Sequence, residues 1–196
     1  MWTDSNHNYH YHQFIGRVLK LEILKRSKPE MDVTTIRSMI AYDSWANARV
    51  LDCCEQLTTA QFTQEDETPW GSIRDQFVHY FLIERRWLSW ADGSLSGEDA
   101  YGLQADPLDY PDLTAVRQMW QENDVQMQAF MNQLTGSTLE RSLKVEWPGF
   151  AFSVPIWQVL IHISQHSMQH RTEITAASSK LGASPGDLDY LFFVLE

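Results

Sequence analysis

Apolar residues recur at spacings of three and four along four stretches of the chain, and polar residues interrupt the pattern inside them. Over residues 32–57, Ile36, Ile40, Val50, Leu51, Cys54 and Leu57 fall on one side of a helix that buries a single stripe. Asp43 and Asn47 break that stripe near its middle. Over residues 72–92 the stripe is Ile73, Phe77, Tyr80, Trp87 and Ala91, with His79 beside it and Glu84 a polar break. Ser72 supplies an N-cap, with Asp75 three residues on as a weaker form of the capping box. Over residues 112–134, Leu113, Val116, Trp120, Met127, Phe130, Met131 and Leu134 repeat at the same spacing, and Asn123 and Asp124 mark the midpoint. Over residues 155–181, Trp157, Leu160, Ile161 and Ile163 spread across a wide apolar arc, so this helix lies deep. Pro155 suits its first turn, and Gly182 suits a C-terminal cap.

Four long amphipathic helices with little strand signal predict an all-α fold, a four-helix bundle spanning residues 31–196. LERSLKVEWPGFAFSV alternates around a Pro-Gly pair and predicts a short hairpin or an extended crossover before the last helix. SPGDLDYLFFVLE reads as a short closing element. Residues 1–30 differ in character: MWTDSNHNYHYH is polar and aromatic, and KRSKPE is a basic turn. They read as an N-terminal extension, flexible or loosely docked, whose His7, His10 and His12 offer only adventitious metal binding.

The chemistry is concentrated in IHISQHSMQHRTEI, where His162, His166 and His170 stand four residues apart inside the most apolar helix. Residues at that spacing differ by about 40° in direction and about 6 Å in height, so His166 and His170 can aim at one point. Imidazole nitrogens meeting at a point bind Zn, Ni, Fe or Cu. All three would sweep about 80°, too much for one small ion, so His162 is assigned to packing or to hydrogen bonding behind the ligands. A third ligand must come from another helix, and His79 is the histidine of the bundle outside the 162–170 stretch. Asp43, Asn47, Glu84, Asn123 and Asp124 also need partners if buried, which a metal and its surroundings would supply. Glu173, three residues after His170, is placed to hydrogen-bond a ligand, and Arg171 reads as an ion pair at the bundle surface.

Charge and cysteine usage narrow the function. Residues 31–196 hold ten basic against twenty-three acidic side chains, which argues against nucleic-acid binding. The two cysteines, Cys53 and Cys54, are adjacent, so no disulfide framework forms, as suits a reducing cytoplasm. FIGRVLKLEIL is interrupted by charges, and the uncharged run Trp147–His170 contains prolines and histidines, so neither a signal core nor a membrane span is expected. Trp45, Trp87, Trp90, Trp120, Trp147 and Trp157 are expected mostly in the core, with one or two free to wall a pocket.

These segments carry a family resemblance. AYDSWANARVL is similar to the first-helix signature of the DinB/YfiT-like superfamily, SIRDQFVHYFLIERRWL to its second-helix segment, HISQHSMQHRTEI to its last-helix segment, and LGASPGDLDYLFF to its usual ending. The resemblance implies a bundle of up-down-down-up type, a homodimer, and a divalent metal on three histidines. Carried over by position, these are His79, His166 and His170, the same three that spacing suggested. Many members read H-H-R-G-Q where this chain has Gln169-His170-Arg171-Thr172-Glu173, so the surroundings of the site differ.

Three neutral ligands leave coordination positions open, which is the catalytic rather than the structural pattern. The expectation is a metal-dependent enzyme acting on a small molecule, either a thiol S-transferase using a low-molecular-weight thiol or a hydrolase. The resemblance implies the thiol chemistry, since relatives of this fold resemble thiol transferases and include a thiol-dependent isomerase; the hydrolase follows from the water that a metal can activate. The alternatives are a non-catalytic metal-binding or stress-associated module, and a plain bundle with structural histidines. Among Asp43, Glu84, Asp124 and Glu173, spacing singles out no general base.

Overall fold

Three of the four long helices start where a short polar side chain holds the first turn, and the last starts after a proline. The fold is that of a computed structural model, which describes residues 31–65, 67–147 and 150–196. Helix α1 (Val33–Cys53) is capped by Asp32, whose carboxylate accepts from the Thr35 amide at 3.0 Å. A 3-10 turn (Cys54–Gln56) and the short α2 (Thr59–Phe62) lead to α3 (Ile73–Asp92). The expected capping box forms there: Ser72 Oγ accepts from the Asp75 amide and Asp75 accepts from the Ser72 amide, both at 3.1 Å. After α4 (Gly97–Gly102) come a 3-10 turn (Pro107–Asp109) and α5 (Leu113–Gln133), capped by Asp112. The chain continues through α6 (Gly136–Glu140), strands β1 (Ser142–Trp147) and β2 (Phe150–Pro155), α7 (Ile156–Lys180) and α8 (Tyr190–Leu195).

The alternating segment is thus a hairpin rather than a crossover: β1 and β2 pair antiparallel from Ser142 opposite Pro155 to Trp147 opposite Phe150. Pro155 ends β2 and precedes the first residue of α7, one position earlier than a first-turn proline. Gly182 follows α7 at φ 88°, and the Ala183 amide returns to the Ser178 carbonyl at 2.9 Å, closing the helix as expected.

The four long helices form a closed ring in which α7 packs on α1 and α3, and α5 packs on the same two helices. Hydrogen bonds set their directions. Arg37 reaches Leu134, Ser44 reaches Asp124, and Asp52 receives Arg117, so α1 and α5 run antiparallel. Asp43 meets Arg171 and Cys53 meets Ser178, so α1 and α7 run parallel. Gln76 meets Glu173 and Trp87 packs on His162, so α3 and α7 run antiparallel. Up-down-down-up is therefore the topology.

The core divides in two. One cluster joins Ile36, Ile40, Leu88, Met127, Ile156 and Leu160, and the other joins Leu51, Phe77, Phe81, Val116, Met119 and Ile174. Each large apolar side chain contributes roughly 1.5–3 kcal/mol on burial. Between the clusters lies a belt of buried polar groups from all four helices: Asp43, Asn47, Glu84, Asn123, Ser167, His170 and Arg171. The mid-helix breaks in the hydrophobic pattern are this belt.

Two expectations change. Arg171 is 2% exposed and buried against Asp43, not at the surface. Trp45, Trp87, Trp90, Trp120 and Trp157 are half-buried at the edge of the core rather than inside it. The extension 1–30, with His7, His10 and His12, and the Pro148-Gly149 turn lie outside the described residues. Among the described residues no helix is long and apolar enough to cross a membrane, and Cys53 and Cys54 are buried free thiols.

Candidate metal centre

Because α3 and α7 run antiparallel, the early middle of one faces the late middle of the other. This brings His79 of α3 to His166 and His170 of α7. One ring nitrogen from each lies within 4.8 Å of the others. The His166 and His170 Nε2 atoms face each other at 3.1 Å. The His79 ring centre lies 4.9 Å from that of His170 and 5.6 Å from that of His166. Two imidazole nitrogens sharing an ion at about 2.0–2.1 Å stand about 2.9 Å apart at a right angle and about 3.4 Å apart at the tetrahedral angle. The 3.1 Å pair is already at that spacing, and His79 needs to close by only about 1.5 Å.

The surroundings fit a divalent ion. Glu173 Oε2 accepts from His170 Nδ1–H at 2.8 Å and from Gln76 Nε2, which lies against both. A proton held on Nδ1 leaves the Nε2 lone pair free to coordinate. Burial, reinforced by the neighbouring imidazoles of His170, His79 and His162, presses the His166 pKa down to about 2. Burial also lowers His170, against the opposing pull of Glu173. Both rings are therefore neutral at physiological pH, the form a metal requires. His162 sits one turn earlier on α7 with its ring edge-on to Trp87 at 5.2 Å, in the packing role expected of it.

Trp70 belongs to this centre and was missed by reading the sequence. Its indole lies flat on the His79 ring, 3.5 Å between centres and 15° between planes, and edge-on to His170 at 6.4 Å. The turn that carries it is tightly held. Thr68 and Gly71 exchange backbone hydrogen bonds at 2.8 and 3.1 Å, and Gly71 adopts φ 109°. A Cβ on Gly71 would stand 2.8 Å from the Asp75 carboxylate, so both backbone and space require glycine. The available signal was Pro69-Trp70-Gly71 directly ahead of the Ser72 cap, an aromatic fixed at the entry to the helix that carries His79.

Behind the histidines, Arg171 ties α7 to α1. Its Nη1 donates to Asp43 Oδ1 at 2.5 Å and to Asn47 Oδ1 at 2.8 Å, and the Tyr80 hydroxyl donates to Asn47 at 3.2 Å. Burial works against the Arg171 charge, yet Asp43 holds its pKa above the ordinary value. Burial pushes the Asp43 carboxyl up, against the pull of Arg171. At 2.5 Å the two form an ion pair. Asp43, Asn47, Glu84 and Asp124 line a small cavity between α1, α3 and α5.

Among the described residues Glu84 Oε2 in that cavity has no partner, and burial, with Asp43 and Asp124 nearby, raises its pKa to about 8. The folded protein thus keeps a proton there that the unfolded chain releases above about pH 4.5. Stability from this group is complete below that pH and declines as pH rises toward 8. The lowered His166 acts oppositely, so the comparison must isolate position 84. Glu84→Gln keeps the neutral shape, and its melting temperature relative to wild type is expected to climb steadily from pH 5 to pH 8. A constant difference across that range would show that Glu84 is ionised in the fold.

A family model described as the DinB family matches residues 31–195. Among solved structures, the chain is similar to YfiT from Bacillus subtilis, described as a probable metal-dependent hydrolase with an unusual four-helix bundle topology. That likeness has a TM-score of 0.53 at 18% identity, covering 81% of this chain and 94% of the other. No curated protein matches.

Proposed function

Because the chain belongs to the DinB family, we propose that it is a metal-dependent enzyme in which His79, His166 and His170 hold one divalent ion, Ni, Zn or Fe, and which transfers a small-molecule substrate group to a low-molecular-weight thiol. The observation that carries this reading is the convergence of three imidazoles from two helices, with His170 fixed by Glu173. When bound, such an ion supplies Lewis acidity to a ligand in an open position.

What the chain's own residues do favours a thiol over water. Glu173, the carboxylate that touches the centre, is committed to His170 Nδ1 and Gln76 rather than free to act as a base. A thiol, with an ordinary pKa of about 8.5, needs far less help to ionise at neutral pH than water at about 15.7. Hydrolysis is the second reading, in keeping with the description of the Bacillus subtilis neighbour. The family match beginning at residue 31 supports residues 1–30 as an extension to a single bundle domain. Exposed Leu191, Val194 and Leu195 on α8 support a homodimer, and the free thiols of Cys53 and Cys54 support a cytoplasmic setting.

The test is a thiol panel on the cobalt-substituted protein. Bacillithiol, mycothiol or glutathione is expected to shift the visible spectrum through a thiolate ligand. A spectrum unmoved by every thiol would rule out the transferase reading and leave the hydrolase.

A further inference from the structure

The rim of the metal centre carries an exposed aromatic surface. Trp70 is 40% exposed and is in ring contact with two of the three histidines. Its position is not left to a flexible loop. The Thr68–Gly71 bridge, the Thr68 hydroxyl that accepts from the Trp70 amide at 3.3 Å, and the Ser72 cap hold the turn to the start of α3. A ligand nitrogen donates in the plane of its own imidazole, and Trp70 lies nearly parallel to the His79 plane at 3.5 Å. The indole therefore covers one face of the His79 ring, beside the plane in which its nitrogen would meet a metal. A large exposed aromatic costs free energy in water, and binding sites use such rings as flat walls for apolar groups.

Resting on the metal reading above, we propose that Trp70 is the substrate-facing wall of this centre. It holds the His79 ring in plane, and its exposed surface takes a flat apolar or unsaturated group carried close to the metal-binding atom of the substrate. The chemical class is thus aryl or conjugated rather than small and aliphatic.

A matched pair of metal-binding probes tests this: benzohydroxamate and acetohydroxamate, titrated into the cobalt-loaded protein and read by its visible spectrum, after metal content is measured. Wild type is expected to bind the aryl probe at least about tenfold more tightly, the size of one aromatic contact. Trp70→Ala should bring the two affinities within about twofold, and Trp70→Phe should keep part of the preference. Should alanine at position 70 release the metal, Trp70→Leu, apolar but without a flat face, replaces it in the comparison. Equal affinities in the wild type, binding of neither probe, or a preference that survives loss of the ring overturns the proposal while leaving the metal site standing. A wild-type chain that takes up no metal overturns both.

Discussion

His166→Ala combined with His170→Ala is expected to leave a folded bundle that no longer holds metal. The two substitutions remove the pair whose nitrogens already stand 3.1 Å apart, and leave His79 alone. Four-ligand zinc sites are worth about 10–16 kcal/mol, or on the order of 3 kcal/mol per ligand, so losing two should weaken binding by about 10⁴-fold. The fold should survive. Both imidazoles are held neutral by their desolvation, and alanine removes them without leaving a charge behind. Below about pH 6.5 the metal-free variant should melt higher relative to wild type than it does at pH 8, because the unfolded wild-type chain gains protons that its buried histidines refuse. Metal analysis after dialysis, with circular dichroism as the control, reads both effects. Stoichiometric metal in the double variant would place the site elsewhere.

Arg171→Met carries the largest expected loss of stability. It strands the Asp43 carboxylate in the belt, with Glu84 and Asp124 across the same small cavity. Removing one partner of a buried pair costs roughly 3–5 kcal/mol, which in a domain of this size lowers the melting temperature by about 6–20 °C. Adding Asp43→Leu should recover most of that loss, since an apolar pair of similar volume substitutes for a buried salt bridge at little cost. A single variant as stable as wild type, in a urea or thermal melt, would show that the pair does not bear on the fold. Because Arg171 follows His170 directly, the single variant should also loosen metal binding, whereas the rescued pair should restore it.

The bundle was legible because its four stripes are long and regular. Over residues 112–134, Leu113, Val116, Trp120, Met127, Phe130, Met131 and Leu134 leave little choice but a helix buried on one side. The short helices Thr59–Phe62, Gly97–Gly102 and Gly136–Glu140 were not legible, since four to six residues are too few to display a period. The three histidines stand out in the sequence for a local reason. Spacing of four on one helix fixes the pair, and few other histidines exist to complete it.

What spacing cannot carry is the partner across the bundle. Arg171 reads as a surface residue until Asp43, 128 positions earlier, is seen to supply its counter-charge. Asp43, Asn47, Glu84 and Asn123 were each visible as interruptions, yet only the packing shows that they form one layer between two apolar clusters. The tryptophans mislead in the other direction. Trp87, Trp90 and Trp157 pack against the core yet stay half-buried, each ring bridging core and surface. Trp70 falls outside all four stripes, although its flanking proline and glycine announce a rigid turn.

Crystals of the protein grown with its metal, measured at the nickel, zinc and iron absorption edges, test the central claim most directly. One anomalous peak per chain is predicted, about 2.0–2.2 Å from a nitrogen of each of His79, His166 and His170. A peak bound elsewhere, or metal-soaked crystals with no peak between these three rings, would contradict it.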